Sequence, residues 1–202
     1  MKILKKIFIC LFIIILAGIY SYGNWERPLY DTDIGSNSYT LTPEIQDDVK
    51  QTFVCPENGL NGIQIKVNFG NVENLGVYEW FLYDEEEKIV AQDGITSEMV
   101  GEKKYLEKNI LELKFEKQRE SKGQKYMFVI KNNNPSEDGE LGCYMTLEGK
   151  YSEKLAVDGN WQNQSLIIKQ EIQMFNIETF IVFLGLAGYI LFFIKYMYKL
   201  FK

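Results

Sequence analysis

Ile63-Gln64-Ile65-Lys66-Val67-Asn68-Phe69 decides how this chain is read. Its apolar residues recur at every second position, with polar residues between them. Successive side chains of a strand point to opposite faces, so this period marks a strand with one face buried and one wet. The same period runs outward in both directions. Phe53 and Cys55 alternate with polar neighbours upstream. Downstream come Tyr78-Trp80-Leu82 against Glu79, Phe81 and Tyr83, then Leu111-Leu113-Phe115, Tyr126-Phe128-Ile130, Cys143-Met145-Leu147, and Leu166 with Ile168. Turn signals punctuate these runs at Asn58-Gly59, Asn61-Gly62, Gly70-Asn71, Asp93-Gly94, Asn132 to Pro135, Asp138-Gly139 and Asp158-Gly159. Asn-Gly and Asp-Gly supply the positive φ of tight hairpins. Many short half-buried strands with such turns predict a mainly β protein, an antiparallel β-sandwich or jelly roll. Ser97 to Lys108 is charge-rich and is expected to form a short surface helix with Met99, Tyr105 and Leu106 facing inward.

Beyond the strands lie two apolar ends. Ile7 to Ile19 follows Lys2, Lys5 and Lys6, and Phe180 to Ile194 precedes Lys195, Lys199 and Lys202. Lysines flanking an apolar span mark its cytoplasmic side. Both termini are therefore expected inside, with the middle of the chain extracytoplasmic and a lipid bilayer as the first partner. Residues 1–23 fit either a transmembrane anchor or a signal peptide with Ser21-Tyr22-Gly23 at its cleavage site. Tyr22 and Trp25 favour the anchor as an interfacial aromatic pair. Residues 177–202 read as a transmembrane helix with a basic tail. Residues 24–50, with Pro28, Gly35 and Pro43, read as a stalk or edge segment, and 51–176 as the extracytoplasmic sandwich.

Charge and composition remove several function classes. Of 22 basic and 28 acidic residues, sixteen and 27 lie between 24 and 176, leaving that stretch at −11. Such a surface repels phosphate backbones, so nucleic acid is not an expected partner. The chain has no histidine. Ser-His-Asp and Cys-His catalytic arrangements are therefore absent, and no acidic pair is singled out by its neighbours for glycoside hydrolysis. No enzyme, catalytic residue or cofactor is expected. A loop calcium would find hard oxygen ligands at Asp84, Glu85 or Asp138, at a spacing that matches no defined calcium loop. Cys55 and Cys143, in an oxidising compartment, are either a disulfide pair or two buried thiols.

Three stretches carry a resemblance: Gln51-Thr52-Phe53 with Asn58-Gly59-Leu60-Asn61-Gly62-Ile63-Gln64-Ile65, Asn74-Leu75-Gly76 leading to Trp80-Phe81-Leu82-Tyr83-Asp84, and Lys122-Gly123-Gln124-Lys125-Tyr126-Met127-Phe128. Together they resemble the extracytoplasmic jelly-roll domains, carbohydrate-binding-module-like and galactose-binding-like in topology, of bacterial membrane proteins in cell-envelope polysaccharide assembly. The resemblance covers about half of the chain and rests on strand-entry motifs that fix fold better than function. The polytopic glycosyltransferase-like region of the larger relatives is lacking here. It implies a non-enzymatic accessory or glycan-recognising module at the bacterial cytoplasmic membrane. The alternative is a protein-interaction subunit of a membrane enzyme or transporter, with a polytopic protein as partner.

Sugar recognition needs exposed aromatic faces to stack on a pyranose. Trp161 lies in a polar loop-like setting, and Phe81 and Tyr83 lie on the face of their strand opposite Trp80, which reads as core. These three are the candidate ligand-binding residues. Gly185 and Gly188 in the second apolar run are candidates for close helix packing in lipid.

Overall fold

The computed structural model describes residues 2–33, 35–70, 75–134, 141–146 and 154–201. In chain order the elements are α1 (Lys2–Ser21), β1 (Tyr22–Pro28), a short 3-10 turn, β2 (Thr40–Leu41), β3 (Asp48–Val54), β4 (Leu60–Phe69), β5 (Val77–Tyr83), β6 (Ile89–Gly94), α2 (Ser97–Gly101) and α3 (Lys103–Lys108). There follow β7 (Ile110–Gln118), β8 (Lys125–Asn134), β9 (Leu141–Thr146), β10 (Leu155–Val157), β11 (Asn160–Gln162), β12 (Ser165–Leu166), β13 (Ile168–Phe175) and α4 (Ile177–Leu200). The chain divides into a β body, Trp25–Ile172, and a helical unit formed by its two ends, Met1–Asn24 and Gln173–Lys202.

The β body is built from two antiparallel sheets. One is six-stranded, in the order β11-β10-β3-β8-β5-β6. The other runs β1-β13-β4, with β7 on the far edge of β4: β13 and β7 both pair with Leu60 to Ile65 of β4 and must lie on opposite sides of it. Apart from the β5–β6 hairpin, the long strands up to β8 thus alternate between sheets as the chain advances, β1-β13-β4-β7 in one and β3-β8-β5-β6 in the other. This is the interleaved Greek-key order of a jelly roll. β9 enters beside the end of β4, pairing Val67 with Cys143, and carries β2 and β12 with it.

The alternation of the sequence becomes the two faces of each sheet. Ile63, Ile65, Val67 and Phe69 of β4 are buried, as are Tyr78, Trp80 and Leu82 of β5 and Phe128 and Ile130 of β8. They meet between the sheets: Phe69 and Tyr78 rings lie 5.9 Å apart, and Trp80 and Phe115 rings 6.2 Å apart. Burial of this apolar surface at about 25 cal/mol per Å² is the main favourable term. Polar tethers fix the ends. Ser121 is buried, and its Oγ accepts the Gly59 and Leu60 N–H groups at 3.0 and 3.1 Å while donating to the Glu57 carbonyl at 2.9 Å.

Several details depart from the sequence expectations. Asn61-Gly62 is not a turn but lies inside β4, where the register with β7 shifts. Within residues 24–50, expected as a stalk or edge segment, lie most of β1 and all of β2, both at edges, with Leu29 and Ile45 buried. The surface helix is two short helices, α2 and α3. Val100 and Tyr105 face inward, but Leu106 is 66% exposed, because the break at Glu102 resets the helical phase. Asp158-Gly159 does form the expected hairpin turn between β10 and β11, with φ of 47° and 75°. Asp138-Gly139, Pro135, Asn71, Asn74 and Leu147 lie outside the described residues.

In the helical unit, α4 is capped by Asn176, whose side chain accepts the Thr179 N–H at 2.9 Å. Its 24 residues extend about 36 Å at 1.5 Å per residue, enough for a hydrocarbon core of about 30 Å. Among the described residues it is the one helix long and apolar enough to cross a membrane. The apolar part of α1 is confined to Ile7–Ser21, about 22 Å long. Of the expected pair of crossing helices, the one at the C-terminus is long enough among the described residues, and a second is not shown. Tyr20 of α1 and Phe183 of α4 are in ring contact at 5.5 Å.

Candidate binding face

The outward residues of β5 are Phe81 and Tyr83, with rings stacked 5.9 Å apart at 23°. Both are half-buried, whereas Trp80 before them and Leu82 between them are 1% and 0% exposed and point into the core. Register carries this face across the six-stranded sheet. Phe81 is opposite Val129 of β8, Val129 opposite Lys50 of β3, Lys50 opposite Ala156 of β10, and Ala156 opposite Trp161 of β11. Residues directly opposite in an antiparallel pair share a face. Trp161, Ala156, Lys50, Val129 and Phe81 thus form one row on the outer side of the sheet. On the far side of Phe81 the row ends at Gln92 of β6. A second row, Thr52, Met127 and Tyr83, lies two residues along.

Trp161 is 61% exposed at one end of the row, while Ala156 and Val129 along its floor are buried. Four strand intervals separate β11 from β5, about 19 Å at about 4.8 Å each. The face therefore carries an aromatic towards each end, with the covered Ala156 and Val129 and the part-exposed Lys50 between them and hydrogen-bonding groups beside each aromatic. Gln92 is exposed next to Phe81, and Lys154, Gln162 and Asn163 line a shallow depression with Trp161. Lys50 crosses the middle and is held by Asp48 at 2.6 Å. All three candidate aromatics fall on this one face. Ala156, Lys50 and Gln92 escaped the sequence reading, since only strand order places them between or beside the aromatics.

The other candidate positions are disposed as follows. Cys55 and Cys143 are both free and buried, so the candidate disulfide is not formed. The reason is topological. Cys55 lies by Ser121 and the start of β4, and its amide donates to the Gln124 carbonyl at 2.9 Å. Cys143 pairs with Val67, seven residues further along β4, hence about 23 Å away, where a bridge needs Cα atoms within about 7 Å. Burial pushes the Cys143 thiol up to about 12. Burial also raises Cys55, against the opposing hydrogen bonds from Glu57 and Ser121. Asp84 spends its carboxylate on the β5–β6 turn, accepting the Glu86 and Lys88 N–H groups at 3.0 and 2.9 Å. Among the described residues no acidic, cysteine or histidine cluster could hold a metal ion; Asp138 lies outside them. Among the described residues, nothing beyond the chain neighbours and the local helix backbone lies within 4 Å of a Cβ placed at Gly185 or Gly188.

The fold thus defines a mainly β protein of two antiparallel sheets with an apolar C-terminal helix. No family model matches the chain, and no curated protein matches it. Among solved structures it is similar to the crystal structure of the cysteine protease and lectin-like domains of Cwp84, a surface layer associated protein of Clostridium difficile. That similarity has 8% identity and a TM-score of 0.42, and covers 69% of this chain and 37% of that one. This chain therefore spans well under half of that chain's length. A likeness of that size fixes neither fold nor ligand, and the architecture stands on its own strand order.

Proposed function

We propose that the β body is a non-enzymatic glycan-recognition module that lays an extended saccharide across the outer face of the six-stranded sheet. Apolar helical ends hold it at the outer side of a bacterial cytoplasmic membrane, where it serves envelope polysaccharide assembly. The observation that carries this reading is the single register row that joins Trp161 to Phe81 over buried Ala156 and Val129. Aromatic faces stack on the apolar faces of pyranose rings, and flanking amides bind the hydroxyls. Two aromatics about 19 Å apart suit a chain of several sugars rather than one.

The test is binding of purified envelope polysaccharides to the full chain in neutral detergent, by affinity electrophoresis. Trp161→Ala is expected to weaken binding at least about tenfold, or about 1.4 kcal/mol, and Phe81→Ala somewhat less. Both side chains lie on the outer face, so folding should be kept. If no polysaccharide retards the wild-type chain, or if Trp161→Ala binds equally well, the reading fails.

A further inference from the structure

A second cavity, of about 320 Å³, opens on the outer face of the other sheet, lined in part by Tyr30, Tyr39, Gln64, Lys66 and Lys169. It lies within the size range of small-ligand sites. Its floor is an ionic lattice in which nearly every charge is engaged. Gln64 of β4 is buried, and its Nε2 donates to Glu26 of β1 at 2.8 Å and to Glu171 of β13. Glu26 accepts from Lys169 at 2.7 Å and from Lys104 at 3.4 Å. Lys104 in turn reaches Glu112 of β7. Glu107, which also lines the cavity, is paired with Lys103 at 3.6 Å.

Besides the exposed Lys108 ammonium at the rim, two polar groups of the lining stand outside this lattice among the described residues. Lys66 makes no ion pair among the described residues. Its Nζ donates to the Lys108 carbonyl at 2.6 Å and sits 5.1 Å from the Tyr144 ring centroid. An ammonium has three protons to donate, so one remains for an occupant of the cavity. The Gln64 Oε1 is the other: it is buried and has no hydrogen-bond partner. Because Nε2 already serves two carboxylates, flipping the amide would only turn the acceptor onto anions. An orphaned buried acceptor is costly unless something fills its need, and the part-exposed Lys66 ammonium on the same face has no counter-ion among the described residues to displace. Tyr30 and Tyr39, edge to face at 6.1 Å, add an aromatic wall.

The geometry points to a binding site for a hydroxylated ring that carries a carboxylate, of the uronic-acid class. The carboxylate sits on Lys66, a ring hydroxyl donates to Gln64 Oε1, and the ring lies against Tyr30 and Tyr39. The −11 balance of the surrounding chain opposes anions only at long range. At physiological salt it is screened beyond about 8 Å, and the local ammonium decides. Burial lowers the Lys66 pKa, as expected for a cation that lacks a carboxylate partner. This site is separate from the face that bears Trp161.

The experiment is titration of the full chain in neutral detergent with D-glucuronate, D-glucose and acetate, read by ligand-observed NMR. Saturable binding of glucuronate at least tenfold tighter than of glucose or acetate is expected. Lys66→Met, which keeps the apolar stem, should weaken glucuronate at least tenfold, while Trp161→Ala should leave it unchanged within twofold. As a readout independent of any variant, glucuronate should slow acetylation of Lys66 selectively, seen by peptide mass spectrometry. Equal binding of glucose or acetate, absent protection of Lys66, or a loss that follows Trp161 instead of Lys66 would each overturn the assignment.

Discussion

Glu26 shows how one side chain organises a sheet face. It is partly exposed, yet its carboxyl is held at about 2: burial raises it, and the hydrogen bonds from Lys169 and Gln64, with the charges of Lys169 and Lys104, more than reverse that. The folded pKa lies below the ordinary Glu value of about 4.3. The stabilisation is therefore complete above about pH 4.3 and is lost as pH falls through the folded value. Solvent screening limits its size to at most about 1 kcal/mol. Thermal melting of the full chain and of Glu26→Gln should show a wild-type advantage that is constant from pH 7 to about pH 5 and shrinks towards pH 2. An advantage that persists unchanged at pH 2 would mean that the lysines do not stabilise the folded carboxylate.

At the scale of the element, β4 is the strand on which the sheet is hung, and Gly62 is where a side chain would crowd it. A Cβ there would meet Glu171 Oε2 at 3.1 Å and the Leu113 carbonyl at 3.2 Å. The Glu171 carboxylate can give way, whereas the β7 backbone carbonyl is held in the sheet and can shift only with its strand. Gly62→Ala is expected to cost about 1–3 kcal/mol as overpacking. Hydrogen exchange should speed up in Gln64 and Lys66 and in their β7 and β13 partners, and leave the six-stranded sheet alone. Unchanged exchange would mean that the irregularity absorbs a methyl group.

The same strand shows what sequence makes legible. Its alternation of apolar and polar residues is visible because one face is buried, and so are the inner faces of β3, β5, β7, β8 and β9. β1 and β10 are not visible in this way. β1 is an edge strand whose exposed and half-buried positions alternate, but Gly23, Trp25 and Arg27 on the half-buried side form no apolar series, and β10 is three residues buried throughout, so neither shows an apolar period in sequence. The site divides along the same line. Trp161, Phe81 and Tyr83 are chemically conspicuous one by one. That they share a face follows from β11 and β5 lying in one sheet, which no local pattern encodes. Gln64 and Lys66 read only as the wet side of a strand, and their significance comes from partners 38 to 107 residues away.

Over the whole chain, the helical ends determine where any ligand would be met. α4 leaves Ile181, Val182, Leu186, Phe192 and Ile194 exposed along its length, with Glu178 in its first turn and Lys195 and Lys199 near its end. A continuous apolar surface of that length is a poor solvent-facing element but a good one for lipid. Lysines at one end and a lone carboxylate at the other are the charge pattern on which the proposed orientation, C-terminus in the cytoplasm, rests. A glycan module needs the β body on the opposite side, so topology and function stand or fall together. Reporters fused after Lys202 and inserted in the exposed Glu85–Glu87 turn should register cytoplasmic and extracytoplasmic positions respectively. That turn is closed by Asp84 hydrogen bonds at its base, so an insertion at its tip should leave β5 and β6 paired. If both reporters register the cytoplasm, the body never meets an envelope polysaccharide, and the row from Trp161 to Phe81 must serve another ligand.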